Sequence, residues 1–156
     1  MLSFVGAWLM ANLVGIQPAP NSTAWGRVLV RPYLVGQLAF ASGMAETPHG
    51  RVEARWALAD QGSTAASVTV DVTIPPSTVA DVYVPVPQFV STPDGLTVHD
   101  AAAPAGIVPV WDGGAFVAGD PGVTGAQMLT GGEYGGAAVV VTVTAGRYQF
   151  VLQGTD

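Results

Sequence analysis

From Gly26 onward, apolar and polar residues alternate in short runs that break at glycine or proline. Residues 51–58 show this most clearly, since valine, alanine, tryptophan and leucine alternate there with charged side chains. Similar runs lie at 67–74 and 79–84, and the apolar runs 138–144 and 147–152 are joined by a two-residue link typical of a hairpin. Alternation with a period of two residues is typical of a strand with one buried face. With looser candidates between them, the runs predict eight or nine strands in a mainly β, antiparallel, jelly-roll-like β-sandwich.

Residues 1–16 follow a different pattern and predict one apolar helix before the strands. They contain neither proline nor charge, and Leu2, Leu9 and Leu13 lie on one helical stripe with Phe4 and Trp8 beside it. The prolines that follow end any helix. A transmembrane span needs about 20 apolar residues, and a secretory leader needs early positive charge. We therefore favour a helix buried against a large partner and find no convincing signal peptide, with a signal-like leader or membrane anchor as alternatives.

Composition narrows the function classes. The chain has five basic residues, all arginine, and a formal net charge of −6, which argues against nucleic-acid binding. It has no cysteine, so disulfides, thiolate catalysis and Cys-ligated metals are excluded. Hydrophobic residues make up 49% and charged residues 10% of the sequence. Such a chain is unusually apolar for the outside of a free monomer, and we expect part of its surface to be covered.

No sequence motif indicates a reaction, a cofactor or a metal. The chain has only two histidines, no Gly-x-Ser-x-Gly motif and no lysine for a phosphate-binding loop. Zinc requires three or four ligands, so two separated histidines are a poor start for a metal site. An enzyme acting through Glu46, Glu53 or Glu133 stays open as an alternative, although solvated surface is the simpler interpretation of each.

A sugar-binding site is the more concrete hypothesis. Residues 86–137 are rich in glycine and proline, and Trp111, Asp112 and Tyr134 lie among them. Aromatic rings stack on sugars, and carboxylates accept hydrogen bonds from hydroxyl groups. These three residues are therefore the candidates for binding a sugar.

Several segments, in order and spacing, resemble the C-terminal part of bacterial and fungal α-L-rhamnosidases of glycoside hydrolase family 78. The likeness covers essentially the whole chain, although no single segment is diagnostic. The segments are GAWL (6–9), LVGIQP (13–18), WGRVLVRP (25–32), TPHGRVEARW (47–56), VDVTIP (70–75), ADVYVP (80–85), VWDGG (110–114) and GRYQF (146–150).

The resemblance implies a division of the chain. In that family an (α/α)6 barrel carries the active site and a β-sandwich follows it. Residues 1–16 would be the last barrel helix, 17–23 a linker and 24–156 the sandwich. The side chains expected to pack against the barrel are Phe4, Trp8, Leu9 and Leu13.

The resemblance also implies that this chain is a non-catalytic accessory domain. The family's catalytic carboxylates lie in the barrel, and no position here matches them. Hydrolysis of terminal α-L-rhamnosyl groups would thus belong to a parent protein whose barrel is joined in cis or met in trans. The alternative is a stand-alone lectin-like module for L-rhamnose-containing glycans. Self-association through residues 1–16 is also expected, while the compartment and oligomeric state stay open.

Overall fold

The computed structural model describes residues 2–60, 66–87, 95–131 and 136–154. Within these ranges, helix α1 (Leu2–Leu9) runs directly into a π-helical turn (Met10–Val14), and twelve strands follow. The strands are β1 (Ile16–Pro18), β2 (Arg27–Val30), β3 (Phe40–Thr47), β4 (Gly50–Ala59), β5 (Ser67–Ile74), β6 (Val79–Val86), β7 (Leu96–Asp100), β8 (Val108–Asp112), β9 (Ala115–Phe116), β10 (Val123–Thr130), β11 (Ala137–Val143) and β12 (Gly146–Gly154).

The strands form two sheets. One sheet has the order β1-β2-β6-β11-β10, and the other has the order β3-β4-β5-β12-β7-β8-β9. Strands β2 and β6 pair in parallel, whereas the other described pairs are antiparallel. Along the described strands the chain changes sheet five times, after β2, β5, β6, β9 and β11. The strands that meet in space are therefore often far apart in sequence.

Alternating side chains from both sheets build one hydrophobic core. Strands β4, β5 and β6 bury every second residue over most of their length, as the sequence pattern predicts. The largest fully buried side chains include Trp56, Phe150, Leu96 and Leu152. The mainly β architecture with one short N-terminal helix confirms the predicted fold class. No helix in the described ranges has the length and apolar character needed to cross a membrane.

A single residue, Gly15, separates the helical segment from strand β1. Gly15 has a φ of 79°, and Ile16 then pairs with Val30 in strand β1. Strand β1 continues through Gln17 and Pro18, at the beginning of the range expected to be a linker. Pro18 has no backbone N–H to donate. An edge strand such as β1 tolerates it, because one side of an edge strand has no neighbouring strand to hydrogen-bond with.

Two strands, β1 and β10, were not among the predicted strands, whereas β9 lies within a short candidate at 115–118. Strand β1 has only three residues, too few for a pattern to show. Strand β10 is eight residues long but lies at the edge of its sheet and shows no regular alternation of burial. Its sequence, VTGAQMLT, therefore lacks the period-2 signal on which strand prediction depends.

Candidate functional site

Helix α1 carries apolar side chains on the outside of the molecule. Phe4 is 80% exposed and Trp8 is 60% exposed, and Val5 and Leu9 are exposed as well. The main contacts of α1 are with the π-helical turn that follows it. An isolated helix of eight residues is marginal in water. We therefore expect an additional surface to stabilise it.

The base of this helix is fixed to the sandwich. Trp56 Nε1 on β4 donates a hydrogen bond of 3.0 Å to the carbonyl oxygen of Leu13. Val14 is buried in the core, and Leu13 packs against it. The Gln17 side chain donates to the carbonyl oxygen of Ala11 at 2.7 Å. The π-helical turn is thus part of the folded domain, and it holds the exposed helix at a defined position.

The apolar surface continues into the segment between β2 and β3. The backbone N–H of Tyr33 donates to the carbonyl oxygen of Leu13 at 3.4 Å, which places this segment beside the base of the helix. Tyr33, Val35 and Leu38 are exposed. We call α1 together with residues 33–38 the apolar surface. Monomeric proteins rarely leave such a surface uncovered.

The structure describes two of the three predicted sugar-binding residues, Trp111 and Asp112. Trp111 is only 4% exposed and belongs to the core, while the adjacent Asp112 is exposed next to the β8–β9 turn. Tyr134 and Glu133 lie outside the described residues. A sugar cannot stack on the Trp111 ring in this arrangement, and binding at Asp112 and Tyr134 stays a prediction.

A polar groove of 570 Å³ crosses the outer face of the second sheet and was not predicted from the sequence. Outward-facing side chains of β3, β4, β5 and β12 line it. Ser42, Arg55, Asp71 and Gln149 form one row across the four strands by register. Within the row, Gln149 Nε2 donates to Asp71 Oδ1 at 2.7 Å.

Two of the glutamates considered for catalysis, Glu46 and Glu53, form ion pairs with Arg51. Arg51 Nε donates to Glu46 Oε1 at 2.7 Å, and Arg51 Nη1 lies 3.8 Å from Glu53 Oε1. Contact with Glu46, followed by the charge of Glu53, raises the pKa of Arg51. Across the described ranges, no cluster of three or more His, Asp or Glu side chains is suited to hold a metal ion.

Asp100 and Asp120 form a second group of carboxyl side chains, buried beside the beginning of β12. Asp100 and Asp120 line a cavity of 270 Å³ together with Arg147 and Tyr148. Asp100 Oδ1 accepts hydrogen bonds of 2.9 Å from the backbone N–H groups of Ala102 and Gln149. Burial raises the pKa of Asp100, the two backbone donors oppose this, and the neighbouring Asp120 adds to the rise. Burial is also the main cause that raises the pKa of Tyr148.

The sequence model of the bacterial alpha-L-rhamnosidase C-terminal domain matches residues 15–95. The chain belongs to this family. The match begins at the glycine that joins the helix to β1 and extends through the strands that form the groove, β3 to β5. It confirms the resemblance inferred from the sequence segments.

Relatives of this rhamnosidase C-terminal domain are much longer proteins. An alpha-L-rhamnosidase of Streptomyces avermitilis is 28% identical over 109 residues, which cover 64% of this chain and 10% of that protein. The structure of an alpha-L-rhamnosidase from Dictyoglumus thermophilum superimposes with a TM-score of 0.66 at 19% identity, covering 97% of this chain and 14% of the other. A Streptomyces avermitilis alpha-L-rhamnosidase complexed with L-rhamnose gives 0.58 at 23% identity, covering 94% and 10%.

The two structural matches cover 97% and 94% of this chain and support the fold described above. The chain spans only about a tenth to a seventh of the length of the relatives it matches. Most of each relative therefore lies outside the region that this chain resembles.

Proposed function

We propose that this chain is a non-catalytic accessory domain of an α-L-rhamnosidase-like glycoside hydrolase, and that its apolar surface packs against a catalytic (α/α)6 barrel. The exposure of Phe4 and Trp8 on a helix with a fixed base carries the proposal. Membership of a family of C-terminal domains, and the much greater length of the relatives, support it. Residues 1–16 would complete the barrel, and residues 24–156 would form the accessory sandwich.

The energy available at this surface suits a stable contact between domains. Burying a large apolar side chain contributes about 1.5–3 kcal/mol relative to leaving it exposed. Phe4 and Trp8 both lie on α1, and the apolar segment 33–38 begins beside its base. The core already holds the π-helical turn in place. Docking would therefore lose little further conformational entropy at the base of the helix.

The arrangement of carboxyl groups supports a non-catalytic role. Glycoside hydrolysis uses two carboxyl groups about 5–9.5 Å apart on opposite sides of the scissile bond. Asp100 and Asp120 are instead adjacent and buried, 1% and 8% exposed, which does not match two accessible carboxyl groups on opposite sides of a bound sugar. Glu46 and Glu53 are held by Arg51 on an open strand face. By this proposal, α-L-rhamnosyl substrates are bound and cleaved elsewhere in the parent protein.

An activity assay tests the non-catalytic part. The purified chain, incubated with an aryl α-L-rhamnoside, is expected to release no more aglycone than buffer alone. The Streptomyces avermitilis alpha-L-rhamnosidase serves as the positive control. Hydrolysis by the chain that disappears in a Glu46→Gln, Glu53→Gln and Glu133→Gln variant would contradict the proposal and restore the autonomous enzyme.

A domain graft tests the packing. The chain replaces the matching segment of the Streptomyces avermitilis enzyme, and thermal unfolding is compared among matched variants of the graft. Phe4→Ser with Trp8→Ser should lower the melting temperature by several degrees, because two buried anchors are lost. Ile107→Ser is the control, since Ile107 is 73% exposed and lies outside the apolar surface. Equal effects of the two changes would show that the helix makes no special contact with the barrel.

The same variants test self-association of the isolated chain. If the apolar surface is free, light scattering should reveal concentration-dependent oligomers of the wild-type chain. The Phe4→Ser and Trp8→Ser double variant should be more monomeric, whereas Ile107→Ser should behave as the wild type. Oligomers that persist unchanged in the double variant would exclude α1 as the contact.

A further inference from the structure

The polar groove on the outer face of the second sheet concentrates hydrogen-bonding side chains that the core does not use. Arg55, Asp71 and Gln149 lie side by side on β4, β5 and β12. Glu53 and Arg147 occupy the adjacent row, on either side of Thr73. The groove therefore presents guanidinium and amide donors next to carboxylate acceptors.

Both arginines of the groove have free donor capacity. Within the described part of the chain, the Arg147 side chain forms no ion pair or hydrogen bond, and the Arg55 side chain contacts only the ring of Phe40, whose centre lies 5.9 Å from the guanidinium carbon. One carboxylate oxygen of Asp71 accepts a hydrogen bond from the Gln149 side chain. A guanidinium presents five N–H donors in a fixed plane, so most of those in the groove face solvent or a ligand.

The charges of the groove balance. Two arginines, Arg55 and Arg147, oppose two carboxylates, Glu53 and Asp71. A groove without net charge does not select a phosphate or another strongly charged ligand. Alternating donors and acceptors match a ligand whose groups both donate and accept. Neighbouring hydroxyl groups of a sugar have this property.

An aromatic ring lies beside the polar row. Phe40 precedes Ser42 on the same face of β3 and is 60% exposed, and Arg55 contacts its ring. An exposed ring next to polar groups suits the apolar C–H face of a pyranose. The groove spans four strands, or about 14 Å at the usual strand spacing, and its volume falls within the roughly 300–1,000 Å³ of small-molecule clefts.

We propose that this groove is a binding site for a neutral oligosaccharide, with Arg55, Asp71, Arg147 and Gln149 contacting hydroxyl groups and Phe40 stacking on a sugar ring. The site differs from the loop site considered at Trp111, Asp112 and Tyr134. It does not depend on the accessory role, because the groove faces outward from the second sheet whether or not α1 is covered.

Calorimetric titration of the full chain tests the proposal. The probes are neutral trisaccharides of L-rhamnose, D-glucose, D-galactose or D-mannose, with trigalacturonate as the charged counterpart. We expect at least one neutral trisaccharide to bind with a Kd at or below about 1 mM and trigalacturonate to bind at least tenfold more weakly. Failure of every neutral probe, or tighter binding of trigalacturonate, would overturn the proposal.

Matched variants locate the site. Arg147→Met and Phe40→Ser should each weaken binding at least tenfold, and their melting temperatures should stay near that of the wild type because both side chains are exposed. Asp112→Asn and Ile107→Ser, outside the groove, should bind as the wild type does. If Asp112→Asn abolishes binding while Arg147→Met does not, the sugar binds at the loops and the groove assignment is wrong.

Discussion

Asp100 and Asp120 are neighbouring buried acids whose side chains line the same cavity. Asp100 is 1% exposed and Asp120 is 8% exposed. Each uses Oδ1 to accept from backbone N–H groups, whereas neither Oδ2 receives a donor from the described residues. Because carboxylate oxygens only accept, a hydrogen bond between the two acids requires a proton on one of them.

This pair should make stability depend on pH. Burial, and then Asp120, raises the pKa of Asp100, so the folded state binds this proton more tightly than the unfolded chain does. The stabilisation is fully present below the ordinary aspartate pKa and is lost as pH rises through the raised value. Asp100→Asn supplies a permanent N–H donor and keeps an acceptor for the backbone. We expect it to stabilise the fold at pH 7 by about 1 kcal/mol.

Urea unfolding from pH 4 to 8 measures the effect. The free energy of unfolding of the wild type should fall relative to that of Asp100→Asn as pH rises. Asp100→Ala is the control, since it leaves the N–H groups of Ala102 and Gln149 without their acceptor and should destabilise at every pH. A constant difference between wild type and Asp100→Asn across this range would show that the folded state does not raise the pKa of Asp100.

Gly15 is a position where only glycine fits. Its φ is 79°, its carbonyl accepts from the Arg31 N–H at 2.9 Å, and an added Cβ would overlap the Arg31 backbone carbonyl. We expect Gly15→Ala to reduce the free energy of unfolding by more than about 3 kcal/mol, because strain and backbone overlap act together.

Gly36→Ala is the matched control for this prediction. Gly36 has a φ of 58°, but no atom lies within 4 Å of the added Cβ. The substitution should cost only the conformational strain, about 1–2 kcal/mol. Denaturant unfolding of both variants gives the comparison. Equal losses would mean that the close approach of Gly15 to Arg31 contributes nothing beyond backbone strain.

The sequence pattern predicts central strands such as β4, β5 and β6 well, because over most of their length every second residue is buried. It could not predict that Trp111 is buried. The pairing of β7 with β8 shifts register between Val98 and His99, so Val110 is an extra residue opposite them. Such a bulge breaks the period of two, and Val110 and Trp111 are consecutive and both buried. Alternation alone therefore cannot assign Trp111 to one face.

The sequence alone also could not predict the polar groove. Asp71 and Gln149 are adjacent in the sheet but 78 residues apart in the chain. Their contact depends on β12 returning to pair with β5 after the chain has passed through the other sheet. Each polar residue taken singly is an ordinary outward-facing strand position. Only the register between non-consecutive strands brings the polar side chains together.

The hydrogen bond from Trp56 to Leu13 should determine how firmly the helical segment is attached. Trp56 is fully buried, and its Nε1 donates to the Leu13 carbonyl at 3.0 Å. Trp56→Phe keeps most of the apolar ring but removes the donor. We expect it to lower the free energy of unfolding by about 1–3 kcal/mol and to make residues 10–14 more susceptible to proteolysis than the strands.

Val68→Ala separates this local effect from a general loss of stability. Val68 is fully buried on β5 and makes no hydrogen bond to the helical segment. Its truncation should cost a comparable free energy through a core cavity without selectively exposing residues 10–14. Limited proteolysis followed by mass spectrometry compares the two variants under native conditions. If both variants are cleaved alike, the Trp56 hydrogen bond does not anchor the helix, and α1 would present its apolar side chains from a movable base.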